Sequence, residues 1–325
     1  MSTSRSAAVE QATARRVRPL PREFSLRLAL VAVLAVAGVI NCQSRDQVPV
    51  FDGQKAFSQL LKQCEFGPRN PGSAGYKKCR DYLVRSMQLY AEQTTLHTFP
   101  LQFGEPLQTI EATNIIARFQ PQKQQRLLLC AHWDTRPWAD MDPIAQNRNK
   151  PILGANDGAS GVAVLLEIAR LLNLAKPSLG VDLVLFDGED VGQSHLPESY
   201  ARGSAAFAHT HAGRFQPRFA ILLDMVGDRN LEIYYESYSL QSAPQVVHKV
   251  WQKAQALGIS EFVPREGYAV YDDHLPLLRA GIPCIDIIDF DYPPWHTLED
   301  TPANCSAASL EKVGRVLTAV IYGER

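Results

Sequence analysis

The 325-residue chain lacks a Gly-x-Ser-x-Gly elbow, so no serine is presented on a strand-to-helix turn. It lacks a Walker motif and a dinucleotide glycine motif, so no phosphate cradle is offered. It lacks a charge excess: 33 Lys and Arg stand against 34 Asp and Glu, a net charge of -1. That balance gives no basis for binding nucleic acid or an anionic membrane surface. Cysteines are few, six in all, and none has the spacing of a thiolate metal site. Without Cys42 their number is odd, so at least one thiol stays free or pairs between chains. Cys130, inside the run Leu127-Leu128-Leu129-Cys130, reads as a buried apolar thiol with no base beside it. Cys64 and Cys79 flank a Pro/Gly loop and can bridge in an oxidising compartment. No internal repeat and no low-complexity linker follows residue 45.

The amino-terminal region lacks a run of membrane-spanning length. Leu28 to Ile40 is apolar and uncharged for 13 residues, short of the roughly 20 that a span needs. With Arg22 and Arg27 on its charged side it suits the core of a secretory signal. Cys42 follows as in a bacterial lipoprotein signal, although Asn41 is a poor residue before such a cysteine. An uncleaved anchor helix is the other reading. Each version exports the rest of the chain. Residues 1–45 are therefore set apart as a signal or anchor segment, and residues 46–325 as one catalytic domain.

What is present is an alternation of helix and strand patterns, at 46% hydrophobic and 21% charged residues. Helices are expected over Phe51 to Cys64, Tyr76 to Glu92, Gly158 to Leu172, 199–209, 244–257 and 306–321. Strands are expected at 94–99, 111–118, 126–133, 181–187, Phe219 to Val226, Leu231 to Tyr235 and Ile282 to Ile288. Asp140 to Leu153 reads as a surface loop. This order predicts a single-domain α/β fold, with a mostly parallel mixed sheet covered by helices on both faces.

Ligands of open α/β sheets lie at the carboxyl ends of the strands. Several acidic or histidine segments fall there. Asp187-Gly188-Glu189-Asp190 ends the apolar run Val181 to Phe186. One of two adjacent carboxylates can bind a metal while the other moves protons, and a cation would offset their repulsion. His132 and Asp134 end another strand, with alternation placing both on one face, so Asp134 can orient His132. Asp157 is either a helix N-cap or a metal carboxylate among small residues. Asp224 is an acid in an apolar run and needs a partner, either an arginine or a metal or substrate amine. Asp272-Asp273-His274 reads as a polar loop and helix start. His296 sits in a loop after the last strand, with Trp295 as an apolar wall. His and carboxylate donors of this kind suit a hard or borderline divalent cation, zinc first among them.

These segments, in this order, resemble the M28 clan of zinc aminopeptidases. Within it they are most similar to the animal-type glutaminyl-peptide cyclotransferases and their bacterial relatives. The matching pieces are Pro71-Gly72-Ser73-Ala74-Gly75, Ala131-His132-Trp133-Asp134, Gly154-Ala155-Asn156-Asp157, Leu185-Phe186-Asp187-Gly188-Glu189-Asp190, Leu222-Leu223-Asp224, Asp272-Asp273-His274-Leu275-Pro276 and Trp295-His296-Thr297. The last two point to the cyclotransferase branch. The resemblance implies one zinc per chain held by Asp157, Asp190 and His296. It implies Glu189 as general base and acid, Asp224 and Asp272 as a supporting acidic network, and Trp295 as a substrate contact. The implied reaction closes an N-terminal glutaminyl residue of a peptide or protein to pyroglutamate and releases ammonia.

There are departures from the family pattern. Asp190 stands where Glu is more common, which would seat the metal closer to the strand. The paired cysteine near the first His of animal members is absent. The segment after Asp190 lacks their tryptophan, a departure at one pocket wall. A second reading is a di-zinc aminopeptidase, with His132 and Asp224 on a second zinc and Asp157 bridging. A third is an inactive M28-like domain that binds peptides.

Overall fold

A six-stranded sheet forms the centre of the computed structural model, which describes residues 48–325 apart from 105, 212 and 214. The signal or anchor segment read at 1–45, with Cys42, lies outside the described residues. Among those described, no helix is long and apolar enough to cross a membrane.

The strands are β1 (Gln93–Phe103), β2 (Gln108–Phe119), β3 (Arg126–His132), β4 (Gly180–Phe186), β5 (Ala220–Asp224) and β8 (Cys284–Ile288), in the spatial order β1-β2-β4-β3-β5-β8. The pairs β4–β3, β3–β5 and β5–β8 are parallel, while β1–β2 and β2–β4 are antiparallel. The mostly parallel mixed sheet expected from the sequence is therefore present. Strands β6 (Ile233–Tyr235) and β7 (Phe262–Glu266) form a separate parallel pair. The sequence reading missed β7, whose exposed Pro264, Arg265 and Glu266 carry no apolar alternation.

Strand alternation sorts the core into two layers. Leu127, Leu129, Leu183, Leu185, Ile221, Leu223, Ile285 and Ile287 join one cluster. Helices α1 (Gly53–Glu65), α2 (Ala74–Tyr90), α3 (Ala159–Leu174), α6 (Pro244–Ala256) and α8 (Ala307–Gly323) contribute its other wall. Leu128, Cys130, Val184, Phe186, Leu222 and Cys284 face the opposite way, against α4 (Arg202–His211) and α7 (His274–Arg279). A further short helix, α5 (Ser237–Ser242), precedes α6. Helices thus cover both faces, as a buried parallel sheet requires.

Three expectations change in detail. The helix read at 199–209 starts at Arg202, after a 3₁₀ turn over Pro197–Ser199. Cys64 and Cys79 are free thiols and do not bridge; Cys79 is buried on α2. Asp157 is not an N-cap: Gly158 holds that position, without a side-chain cap, and α3 begins at Ala159. The φ of Gly158 is +91°, and a Cβ there would lie 2.6 Å from the Asp134 carbonyl oxygen and 3.1 Å from His132 Cε1. Only glycine fits this turn.

Candidate metal centre

The parallel strands β3, β4, β5 and β8 all end on one side, and each delivers part of the site. His132 is the last residue of β3 and Asp224 the last of β5. Both continue the face that carries Cys130 and Leu222, which are register partners. The acid pair Glu189 and Asp190 follows β4 through Gly188, whose φ is +67°. Asp157 enters from the turn before α3, and His296 from the loop after β8. His296 is held in the left-handed region at φ +55°, a conformation that costs energy and persists where surrounding contacts fix it.

The side chains form two groups that share Asp157. In one, His296 Nε2 lies 3.6 Å from Asp157 Oδ2 and 3.3 Å from Asp190 Oδ1. In the other, His132 Nε2 lies 3.1 Å from Asp157 Oδ1 and 3.1 Å from Asp224 Oδ1. Asp157 therefore turns one carboxylate oxygen to each group. Donors of a tetrahedral zinc, each about 2.0–2.1 Å from the ion, stand about 3.3 Å from one another. The His296 group has that spacing, two carboxylates and one imidazole, and its donors converge. Asp190 Oδ2 is buried without a hydrogen-bond partner. The residues present fit a zinc ion.

Three carboxylates brace these turns. Asp134 does not bond His132, whose Nδ1 is 3.7 Å away. Its two oxygens instead accept the backbone N–H groups of Glu189 and Asp190, at 3.1 and 3.2 Å. The expected orientation of His132 by Asp134 is thus replaced by orientation of the acid pair. Asp300 does the same for Asn156 and Asp157, accepting their N–H groups at 2.8 and 3.1 Å. Asp187 turns away from the centre and accepts from Thr113 N at 2.6 Å and from the Tyr76 hydroxyl.

The electrostatics follow from burial. Burial pulls the His132 pKa down, but the carboxylates of Asp224, Asp134 and Asp157 more than reverse this and hold it well above the usual range. Burial raises Glu189 well above an ordinary carboxyl; His132 opposes the rise, and Asp272, Asp190 and Asp273 add to it. Burial and then Asp224 push Asp272 up to about 7, against His274. Asp272 is buried within an acidic group, and its segment is the expected helix start, with Asp273 before the helix that begins at His274. Asp286 and His274 lie beside it as a third convergent set. Trp295 is half-buried and stacks on His296, with ring centroids 3.9 Å apart.

Several neighbours of the site escaped the sequence reading: Arg136, Asp140, Asp286 and Asp300. The acid in the apolar strand Cys284–Ile288 was the available sign for Asp286. Arg136, Asp140 and Asp300 gave no periodic sign.

Comparison with known proteins shows the family of the chain. The peptidase family M28 model matches residues 114–321. A glutaminyl-peptide cyclotransferase from Boiga irregularis is 26% identical over 288 residues, spanning 78% of this chain and 76% of its own length. A Bacteroides thetaiotaomicron glutaminyl cyclase bound to N-acetylhistamine superposes with a TM-score of 0.83 at 39% identity, covering 86% of this chain and 100% of that one. A Zn-dependent exopeptidase from Parabacteroides distasonis superposes with a TM-score of 0.82 at 36% identity, covering 86% of this chain and 100% of that one. By family match and by similarity over most of its length, this chain belongs to peptidase family M28, in the branch of the glutaminyl cyclases.

Proposed function

We propose that the protein cyclises N-terminal glutaminyl residues of peptides or proteins to pyroglutamate, with one zinc held by Asp157, Asp190 and His296. The observation that carries this reading is the placement of Glu189 directly before Asp190. A buried carboxyl group prone to hold a proton thus adjoins a three-donor metal group. When bound, zinc acts as a Lewis acid on the γ-amide carbonyl. Glu189 takes a proton from the free α-amine as its nitrogen bonds to the carbonyl carbon of the side-chain amide. It returns that proton to the amide nitrogen, the carbon–nitrogen bond breaks, and ammonia leaves the five-membered lactam. Asp272 raises the proton affinity of Glu189, and Asp224 raises that of Asp272 in turn. Trp295, stacked on His296, is the proposed substrate contact. The attacking amine is tethered to its target, so no water needs activation.

The di-zinc aminopeptidase reading keeps one specific support, the bridging position of Asp157 between the two groups. In the one-zinc reading His132 instead faces Asp157 and Asp224 without holding a metal. The test is to incubate the zinc-loaded protein with a Gln-initiated peptide and with Ala- and Leu-initiated peptides, and to measure bound zinc. Loss of one ammonia from the first, no cleavage of any, and about one zinc per chain fit the cyclase. Release of N-terminal residues with about two zincs fits the peptidase. Export of the enzyme is part of the same proposal and is supported by Arg22, Arg27 and the apolar run that follows.

A further inference from the structure

The loop after β3 carries a buried arginine that the proposed chemistry does not use. Arg136 is fully buried, which is costly for a guanidinium unless its donors are paired. Its Nε and one terminal nitrogen form a two-pronged contact with Asp140, at 2.6 Å to each carboxylate oxygen. The other terminal nitrogen donates to the Gly192 carbonyl at 3.1 Å and the Asp190 carbonyl at 3.2 Å. That same nitrogen lies 3.4 Å from Asp190 Oδ1. The rings of Trp138 and Tyr200 lie 5.3 and 5.4 Å from its guanidinium carbon.

Both ends of this arrangement reach the metal group. Asp190 Oδ1 is the oxygen that faces His296 Nε2. Asp140 Oδ1, already engaged by Arg136, faces the other nitrogen of the same ring, His296 Nδ1, at 3.5 Å. The Met141 N–H also donates to the His296 carbonyl, at 3.2 Å, so this loop holds the backbone as well as the ring. A carboxylate opposite Nδ1 favours the tautomer in which Nδ1 carries the proton and the Nε2 lone pair points at Asp157 and Asp190. Arg136 holds Asp140 in place for that task through its two-pronged contact. Its charge also lessens the repulsion between Asp157 and Asp190, the two carboxylates that must share one ion.

Resting on the assignment of Asp157, Asp190 and His296 as the metal-holding residues, we infer that Arg136 and Asp140 act as one positioning unit. The unit sets the zinc affinity of the protein by fixing His296 and Asp190 together. A two-pronged fork is required, so lysine does not substitute for Arg136.

The test is zinc affinity, read by competition with a chromophoric chelator, on wild type, Asp140→Asn, Arg136→Met, Arg136→Lys, the Asp140→Asn/Arg136→Met double variant and His296→Ala. Melting temperature is read on the metal-free proteins alongside. Asp140→Asn keeps shape and one acceptor at a partly exposed position, so it folds and decides the matter if an Arg136 variant does not. Zinc affinity is expected to fall roughly 10–100-fold in Asp140→Asn and in Arg136→Met, with little rescue by Arg136→Lys. The double variant is expected to fall no further than the worse single one, because the residues form one unit. Zinc affinity within about threefold of wild type in folded Asp140→Asn would overturn the inference, as would full additivity in the double variant. If His296→Ala also leaves affinity unchanged, the metal assignment itself fails. If His296→Ala weakens zinc and Asp140→Asn does not, only the positioning unit fails.

Discussion

Replacing Glu189 with glutamine separates proton transfer from metal binding. The change is nearly isosteric, and the backbone N–H of Glu189 stays anchored on Asp134. Glu189 is not among the donors that converge around Asp157, Asp190 and His296, so zinc is expected to stay. An amide cannot accept the amine proton, and a positioned acid–base group contributes roughly 10²–10⁴-fold. The turnover number should therefore fall by that factor, a barrier increase of roughly 3–5 kcal/mol. Stability should move the other way. Burial and the carboxylates of Asp272, Asp190 and Asp273 raise the folded-state pKa of Glu189 well above its ordinary value, against the opposing charge of His132. The folded protein then keeps a proton that the unfolded chain releases. This contribution is fully present below the unfolded pKa and is lost as pH rises through the folded one. Glutamine mimics the protonated form, so metal-free Glu189→Gln should melt at or above wild type at pH 8 and close to it near pH 4.5. The assay is ammonia release from a Gln-initiated peptide, with zinc content and melting measured on the same samples. Activity within a few-fold of wild type would remove Glu189 from the mechanism. Loss of zinc together with activity would make it a ligand instead.

Further outcomes are expected. His296→Ala deletes the one nitrogen donor of its group and should release zinc on dialysis against a chelator; stoichiometric retention would move the ligand role to His132 and favour two zincs. Trp295→Phe keeps a ring to stack on His296 but loses the indole N–H, so KM for Gln-initiated peptides should rise or kcat fall at an unchanged melting temperature. Normal kinetics with lowered melting would make Trp295 a core anchor. Asp289 accepts from Glu232 N and Asp291 N, and burial, followed by Asp228 and Asp291, pushes it up to about 7. Its stabilising effect is full below about pH 4 and lost as pH rises to about 7, at most about 4 kcal/mol for three units. Asp289→Asn should therefore flatten the fall of melting temperature between pH 5 and 8, and an unchanged slope would refute the shift.

The architecture was legible because buried parallel strands are short apolar runs with polar punctuation. β3, β4, β5 and β8 announce themselves in that way. The site was legible where a strand ended in an acid or a histidine. The grouping of Asp157, Asp190 and His296 came from resemblance, since no local pattern links residues so far apart. The supports were not legible. Arg136 and Asp140 look like loop polarity because their partners come from the loops after β4 and after β8. Asp300 is 143 residues from the N–H of Asp157 that it holds.

Three acids show how far a local rule reaches. Asp182, Asp224 and Asp286 each interrupt an apolar strand, so each must find a partner. Asp182 lies near the amino end of β4 and is satisfied by arginines, with Arg126 at 2.7 Å and Arg118 at 3.2 Å. Asp224 lies at the carboxyl end of β5 and meets His132. Asp286, in the middle of β8, meets no arginine; His274 stands 3.8 Å away, and the neighbouring charge of Asp272 raises its pKa beyond the effect of burial. The sign in the sequence is the same for all three. What separates an ion pair from a reactive carboxyl group is the depth along the strand, because only the carboxyl ends converge with the loops that bring histidine and further acids. A buried strand acid is therefore evidence of chemistry in proportion to its closeness to that end. By that measure Asp182 is structural, Asp224 is a candidate for chemistry, and Asp286 stands with Asp272 and His274.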